Sequence, residues 1–355
     1  MIQRMRKEIF RMSRPGAVAL LARAPFVHVA TTGARGEPML RALNAALVDD
    51  CVVFHGAPAG EKMEAVGREA VVSAEEVVAS IPSYFVDPER ACPATTLYRS
   101  VQVHGTLDRV DDPRVKARAL EALLAKHQPE GGFVPMAHDH PLYAKVLESL
   151  LVVSVSLERL DGKAKLAQNR TPNEQRRIVT SLWSRGDPGD AAAASAIVKA
   201  NPEMPLPEFL HAPAGVALVC SPERADAEAC ASLLEGTYWN DRFTRDDIIT
   251  SHLESNAWIV ARSQADASIV ASARAVSDGS KYAWIYDVVV APEWRGKHVG
   301  DAVMRLLLDH PAVRRARFVK LGTRDAMGFY ERMGFVASDK LPLRPYVSVE
   351  MVRAR

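Results

Sequence analysis

The chain has 355 residues, 48% of them hydrophobic and 25% charged, the profile of a soluble globular protein but too long for one ordinary core. Its 45 basic against 43 acidic side chains give a formal charge of +2, which excludes a wholesale electrostatic grip on nucleic acid. No apolar run is long enough to span a bilayer and no signal-peptide core follows Met1, so a cytoplasmic protein with no membrane partner is expected.

In chain order, residues 1–14 are basic (Arg4, Arg6, Lys7, Arg11, Arg14) and read as a solvated leading helix more readily than as a nucleic-acid contact. Ser13 ahead of Pro15 opens a short helix over 16–23. Strands follow at 26–32, 39–48 and 51–55, parted by turn signals at Gly33-Ala34-Arg35-Gly36 and Asp49-Asp50, a meander rather than a βαβ unit. A helix turn at 60–66, a strand at 71–78 and a longer strand pair at 97–110, bent at Gly105, come next. A helix at 113–126, a loop at 131–140, a helical segment at 141–148 and strands at 151–160 and 163–167 complete the first half. Thr171-Pro172-Asn173-Glu174 fits a capping box, and the helix it opens runs to about Trp183. Many antiparallel strands with a few helices suggest a barrel with helical decoration.

A helix at 191–200 leads into 201–213, where Pro202, Pro205, Pro207 and Pro213 forbid both helix and sheet interior. The boundary falls there, giving a first domain over 1–190, a helix and linker over 191–213, and a second domain over 214–355. The second domain reads as strand 216–220, helices 224–234 and 245–254, and strands 258–261, 268–276 and 282–290. Strand 317–321, helix 326–333 and strand 346–352 close it.

Residues 286–290 are short, β-branched and apolar, a strand expected to be buried on both faces, and Pro292 ends it. Val299, Val303, Leu306 and Leu307 then repeat at helical spacing, so 295–300 is a strand-to-helix turn. A helix start offers unpaired N–H groups and partial positive charge. Gly296 and Gly300 are expected to let a ligand near the backbone, while Arg295 and Lys297 add charge. That makes a pyrophosphate cradle without the spacing of a nucleoside-triphosphate loop; the plain alternative is a basic helix start with no ligand.

The stretch Arg295-Gly296-Lys297-His298-Val299-Gly300 resembles motif A of the GNAT (GCN5-related) N-acetyltransferases, with His298 at the motif's central glycine. Ala326-Met327-Gly328-Phe329-Tyr330-Glu331-Arg332-Met333-Gly334-Phe335 resembles the closing helix and strand of the same family. The resemblance runs from about Gly215 onward. It implies a mixed α/β domain in which Val288 and Val290 flank the pantetheine arm of acetyl-CoA, and residues 295–300 (Val299 and Gly300 included) hold its pyrophosphate. It also implies a backbone N–H beside the oxyanion and Tyr330 as general acid at the departing sulfur, against the plainer reading of Tyr330 as a packing aromatic. Asp287 is expected either to attract or relay a proton from the amine or to be a structural carboxylate at the strand entrance. Tyr238, Trp239, Arg242 and Arg274 are candidates for the acceptor pocket, with Trp239 equally suited to the core.

In the first half, Phe54-His55-Gly56-Ala57-Pro58-Ala59-Gly60-Glu61-Lys62 and Tyr98-Arg99-Ser100-Val101-Gln102-Val103-His104-Gly105 resemble motifs of pyridoxamine-5′-phosphate oxidase-related, FMN-binding split-barrel proteins. Lys163-Ala164-Lys165-Leu166-Ala167-Gln168-Asn169-Arg170 resembles the tail of a flavin-binding regulator subgroup. These likenesses imply an antiparallel split β-barrel with helices, Arg41 and Lys62 near a flavin phosphate, His55, Tyr98 and Ser100 near FMN, and a homodimer with the flavin at its interface. The equally open alternative is a barrel that has lost its flavin and serves as a scaffold.

The whole therefore reads as an α+β two-domain N-acetyltransferase acting on a small-molecule amine. A flavin oxidoreductase with an auxiliary second domain, and a flavin- or acetyl-CoA-sensing regulator that contacts DNA, stand as alternatives. Cys51, Cys92, Cys220 and Cys230 form no CxxC and read as reduced thiols. His138-Asp139-His140 fixes no metal geometry on a loop, so no metal is expected, and His28 and His104 read as packed strand residues.

Overall fold

Three segments that read as single strands or strand pairs in the sequence turn out to change sheets partway, and this organises the first half of the chain. The structure, a computed structural model, describes residues 8–340. The chain divides between Phe209 and Leu210 into two units. Strand 346–352 of the sequence reading and the first half of the basic leading segment, residues 1–7, lie outside the described residues.

The first unit begins with α1 (Arg14–Arg23), where the Ser13 hydroxyl accepts from the Gly16 amide and Pro15 sits in the first turn. Then come β1 (Val27–Thr32), β2 (Pro38–Leu43), β3 (Ala46–Val48), β4 (Cys51–Gly56), α2 (Glu61–Glu64), β5 (Glu69–Ile81), β6 (Thr95–Thr106) and β7 (Asp108–Val110). After α3 (Pro113–His127) and α4 (Ala144–Ser149) follow β8 (Leu151–Ser156), β9 (Arg159–Lys165), α5 (Pro172–Arg185) and α6 (Asp190–Ala200). One sheet has the order β2-β1-β5-β6-β9 and the other β3-β4-β8-β7, both antiparallel throughout. The two do not join into a closed barrel.

The expected strand at 39–48 is β2 in one sheet and β3 in the other; the pair at 97–110 is β6 and β7, likewise split; and 151–160 is β8 plus the start of β9. The crossing residues Ala45, Leu107 and Leu157 are 3%, 2% and 1% exposed. Both sheets face the same core, which takes Val29, Val72, Val101 and Val103 from one and Val52, Phe54, Val153 and Val155 from the other. The apolar pattern thus continues across the crossings at Leu107 and Leu157, and at Ala45 only the single Asn44 interrupts it. Gly105 is a point of close approach, since a Cβ there would sit 3.0 Å from Val155 Cγ1. The capping box at Thr171 forms: Glu174 accepts from the Thr171 amide at 2.8 Å, and Thr171 Oγ1 accepts from the Glu174 amide at 3.3 Å.

The second unit contains β10 (Val216–Val219), α7 (Arg224–Leu233), α8 (Arg245–Leu253), β11 (Ala257–Ser263), β12 (Ile269–Ser277) and β13 (Tyr282–Val290). It continues with α9 (Val299–Asp309), α10 (Pro311–Arg314), β14 (Phe318–Lys320) and α11 (Met327–Glu331). The sheet runs β10-β11-β12-β13-β14, antiparallel except for the parallel pair β13/β14. α7 and α8 cover one face through Ala227, Cys230, Leu234, Ile248, Trp258 and Val260. α9 presents Val299, Val303, Leu306 and Leu307, all at most 2% exposed, as its buried stripe. Each such buried side chain is worth about 1.5–3 kcal/mol. β13 alternates rather than being buried on both faces: Ile285 is 3% exposed but Tyr286 is 41%, because Tyr286 looks into a cavity. No described helix is long and apolar enough to cross a membrane.

Candidate active site

The site in the second unit begins with a fault in the ladder. On β12/β13, Ser272 pairs with Val289 and Arg274 with Tyr286, so Asp287 and Val288 together oppose Ala273. Asp287 has φ +53°, a left-handed conformation that costs a non-glycine residue about 1–3 kcal/mol and survives only where its surroundings impose it. They do. Asp287 is 7% exposed; Arg274 Nε donates to Oδ2 at 2.6 Å and Asn240 Nδ2 to Oδ1 at 3.0 Å. Arg274 is held in turn by Ser255 Oγ at 3.3 Å and lies over the Tyr286 ring at 5.0 Å. The extra residue reverses which face the next side chains take: Trp284 and Tyr286 share the face of Arg274, whereas beyond the bulge that face receives Val289.

Past Trp284, β13 also loses its other neighbour. The parallel pairing with β14 covers only Tyr282, Ala283 and Trp284. From Asp287 to Val290 no described strand pairs with β13 on that side. Where the strands part lies a cavity of about 620 Å³. Tyr238 and Trp239, edge to face at 4.8 Å, line one side, and Trp284 and Tyr286, stacked at 6.1 Å, another; Asp287, Val288 and Tyr330 also reach it. Tyr330, 9% exposed on α11, has no hydrogen-bond partner for its hydroxyl among the described residues. Burial, and after it the neighbouring Tyr238 and Asp325, push its phenol up to about 12, so it stays protonated.

The edge leads to the start of α9. Gly296 and His298 both adopt positive φ, +72° and +59°. His298 is the N-cap yet gives no side-chain cap, and the first intrahelical bond is Ala302 N to His298 O at 3.1 Å. The amides of Val299, Gly300 and Asp301 therefore have no acceptor within the helix. The turn needs a left-handed residue at 298, and histidine supplies it with its side chain 85% exposed, Nδ1 lying 3.3 Å from Asp301 Oδ2. The imidazole does not plug the corner. Arg295 Nε donates back to Val290 O at 3.2 Å and Lys297 lies over the Trp294 ring at 4.9 Å. Gly300 differs from the expectation of open approach: a Cβ there would meet Val290 Cγ2 at 3.3 Å and Phe329 Cζ at 3.4 Å, so this glycine lets β13, α9 and α11 touch.

Of the expected pocket residues, Trp239 lines the cavity and is 38% exposed rather than core, and Arg274 lines it while holding Asp287; Arg242 is not part of it. Asn240, Trp284 and Tyr286 were missed. The aromatic alternation at 284 and 286 carried a signal, but nothing in the sequence marks Asn240.

In the first unit, the residues expected around FMN do not converge. Tyr98 and Ser100 lie on one face of β6, opposite Lys165 and Lys163 of β9, whose ammonium groups sit 5.9 and 5.2 Å from the Tyr98 ring. Arg41 pairs with Val29 on the edge strand β2 and so belongs to the opposite, core-side face. His55 is exposed on β4 in the other sheet. Lys62 falls in α2, and its side chain lies outside the described residues. Among the described residues, Arg41, His55, Tyr98 and Ser100 thus do not line one common pocket.

Residues 13–164 match the family described as pyridoxamine 5′-phosphate oxidase and residues 225–335 the acetyltransferase (GNAT) family. No curated protein matches the chain. Among solved structures, a putative GNAT-family acetyltransferase from Xanthomonas campestris pv. campestris is 27% identical, covering 37% of this chain and 93% of its own, with a TM-score of 0.31. A putative acetyltransferase from Deinococcus radiodurans is 22% identical over 37% of this chain and 90% of its own, with a TM-score of 0.30. The FAD and heme binding protein from Mycobacterium smegmatis is 20% identical over 44% of this chain and 74% of its own, with a TM-score of 0.38.

Proposed function

We propose that this chain, a pyridoxamine 5′-phosphate oxidase-like domain joined to a GNAT acetyltransferase domain, moves an acetyl group from acetyl-CoA to the nitrogen of a small-molecule amine. The observation that carries the reading is that the β13/β14 pairing ends at Trp284, ahead of the bulge at Asp287 and of the start of α9, which has no side-chain cap. A strand edge can pair with the two amide groups of a pantetheine arm, and free helix amides suit a diphosphate.

In the reaction, bound acetyl-CoA supplies the thioester carbonyl. The edge amides next to the bulge orient it and donate hydrogen bonds to the negative charge that grows on its oxygen. The aromatic walls hold the neutral amine so that its nitrogen lone pair forms the C–N bond. As the C–S bond breaks, Tyr330 gives its proton to the departing thiolate and regains one from solvent; the amine's surplus proton leaves to water. Asp287, with both carboxylate oxygens occupied, acts as a positioning residue that fixes the bulge. Arg295, Lys297 and the amides of Val299 and Gly300 form the diphosphate end, and Val288 and Val290 flank the arm.

For FMN, no step enters this mechanism, since Arg41, Tyr98 and His55 occupy separate faces and sheets. A flavin held with the help of a second copy of the chain is the companion proposal, favoured by the two lysines gathered over Tyr98. Calorimetry with acetyl-CoA, followed by acetyl-CoA-dependent thiol release with a panel of amines, tests the main reading; no heat of binding would end it. Flavin absorbance in purified protein, or uptake of added FMN by a dimer, tests the companion.

A further inference from the structure

A second hollow, in the first unit, is lined by none of Arg41, His55, Tyr98 or Ser100 and takes no part in the proposed reaction. It measures about 230 Å³. Its floor is apolar, with Ile81 and Leu97 2% exposed and Ile178 likewise at 2%. Its polar wall consists of Thr95, Lys165, Asn169 and Arg170. No aspartate or glutamate lines it.

Both cations lack a carboxylate partner among the described residues. Lys165 Nζ donates to Thr95 Oγ1, and Arg170 Nη2 to Pro93 O at 3.3 Å, leaving further N–H groups of each without an acceptor. The carboxylate four residues before Lys165, Asp161, lies 3.5 Å from Arg11 Nη1, and the one four residues after Arg170, Glu174, feels the charge of Arg170 but takes its hydrogen bonds from the Thr171 amide at 2.8 Å and hydroxyl at 2.9 Å. Asn169 makes no side-chain hydrogen bond within the described residues.

The loop that brings these groups together is fixed from beneath. Gln175, 6% exposed, directs its amide nitrogen at Ala167 O and Arg170 O, both at 3.1 Å, and at Asn201 Oδ1 at 2.8 Å. Asn201, 8% exposed, donates to Leu166 O at 2.9 Å and Ile197 O at 2.7 Å. Ala167 is held at φ +67°, a strained conformation that only a rigid surround sustains. Positive groups with no carboxylate in the hollow itself, set rigidly around an apolar floor, are arranged for an anion.

We infer that this hollow binds a small amphipathic oxyanion, a carboxylate or phosphate monoester on a compact apolar body. Its volume equals about eight water volumes at about 30 Å³ each, and lies below the lower bound of about 300 Å³ for drug-sized ligands. A whole flavin does not fit that space; a single substituted ring does.

Cys92, exposed at the rim, is a built-in reporter. Cys220 and Cys230 are buried, with thiols pushed up to about 12 by burial, and Cys51 is half-buried. Alkylation of the full chain by iodoacetamide, read by mass spectrometry at Cys92, is measured with benzoate, phenyl phosphate or neutral benzamide present. Either anion slows labelling at Cys92 at least fivefold while benzamide does not. Lys165→Met weakens that protection about tenfold or more, the loss of one hydrogen bond to a charged group. Asn169→Ala, outside the buried network, gives a smaller loss in the same direction should Lys165→Met fail to fold. Equal protection by benzamide, protection by neither anion, or protection by FMN alone overturns the inference; the last would make the hollow part of a flavin site.

Discussion

Replacing Asp287 separates its two conceivable roles. The carboxylate is 5% and the Arg274 side chain 13% exposed, so they form a buried pair. Removing one partner of such a pair costs about 3–5 kcal/mol, against a typical domain stability of about 5–15 kcal/mol. Asp287→Ala also places a poor left-handed residue at φ +53°, adding about 1 kcal/mol. Asp287→Asn keeps size, one hydrogen bond and tolerance of that backbone, and loses the charge and the other hydrogen bond, so about half the total loss is expected. Urea unfolding and acetyl-CoA calorimetry are then run on both variants. The alanine variant unfolds several kcal/mol earlier and binds acetyl-CoA at least tenfold more weakly, because the bulge relaxes and the edge is no longer aimed; the asparagine variant binds within about threefold of the parent. Refutation comes from an asparagine variant with parental stability and binding but no turnover, since Asp287 would then be handling a proton. An alanine variant indistinguishable from the parent would show instead that the carboxylate does not hold the bulge.

Tyr330→Phe lowers turnover by about 10²–10⁴-fold and leaves acetyl-CoA affinity within twofold in the same titration. With the phenol pushed up to about 12, the parent's rate rises as the amine deprotonates and does not fall below about pH 10; an alkaline limb near neutrality would count against the acid role. His298→Gly relieves a left-handed histidine whose imidazole is exposed, so thermal stability holds or rises by about 1 kcal/mol and acetyl-CoA affinity persists; lost binding would show that the imidazole grips the diphosphate. His310 is held neutral, its pKa pushed from 6.5 down to about 4 by burial and then by Arg314. A depressed folded-state value gives stability that is present above 6.5 and lost as pH falls towards 4, about 3 kcal/mol in all. His310→Asn, which keeps an acceptor for the Ala312 amide, flattens that acid slope in urea midpoints taken at several pH values; an unchanged slope removes His310 as its source.

Helices with their own punctuation were legible from the sequence: Thr171 and Glu174, Ser13 and Pro15, and the stripe from Val299 to Leu307 all carry local signals that survive folding. The sheet crossings at Ala45, Leu107 and Leu157 were not, because each crossing residue is itself apolar and buried and a lone Asn44 is too weak a signal to split a strand. In the candidate site, Tyr330 and the 295–300 turn were legible as motifs. The conformation of Asp287 was not, since it depends on Arg274 and Asn240, which lie 13 and 47 residues away in sequence. Trp239 was read as an even choice between core and pocket, and its 38% exposure belongs to a wall whose opposite side, Trp284 and Tyr286, comes from another element. The residues expected around a flavin share a sequence neighbourhood with family motifs, but strand pairing puts Arg41 and Tyr98 on opposite faces.

The parting of β13 from β14 bears on solubility as well as chemistry. A bare row of amides and carbonyls invites a neighbouring molecule to add a strand, and long flat edges aggregate for that reason. Here the stretch of β13 beyond its pairing with β14 is short and kinks at Asp287. An incoming straight chain would match a few rungs on one side of the kink and miss those on the other. The irregularity that aims the edge at a small guest also keeps it from zipping onto its own kind.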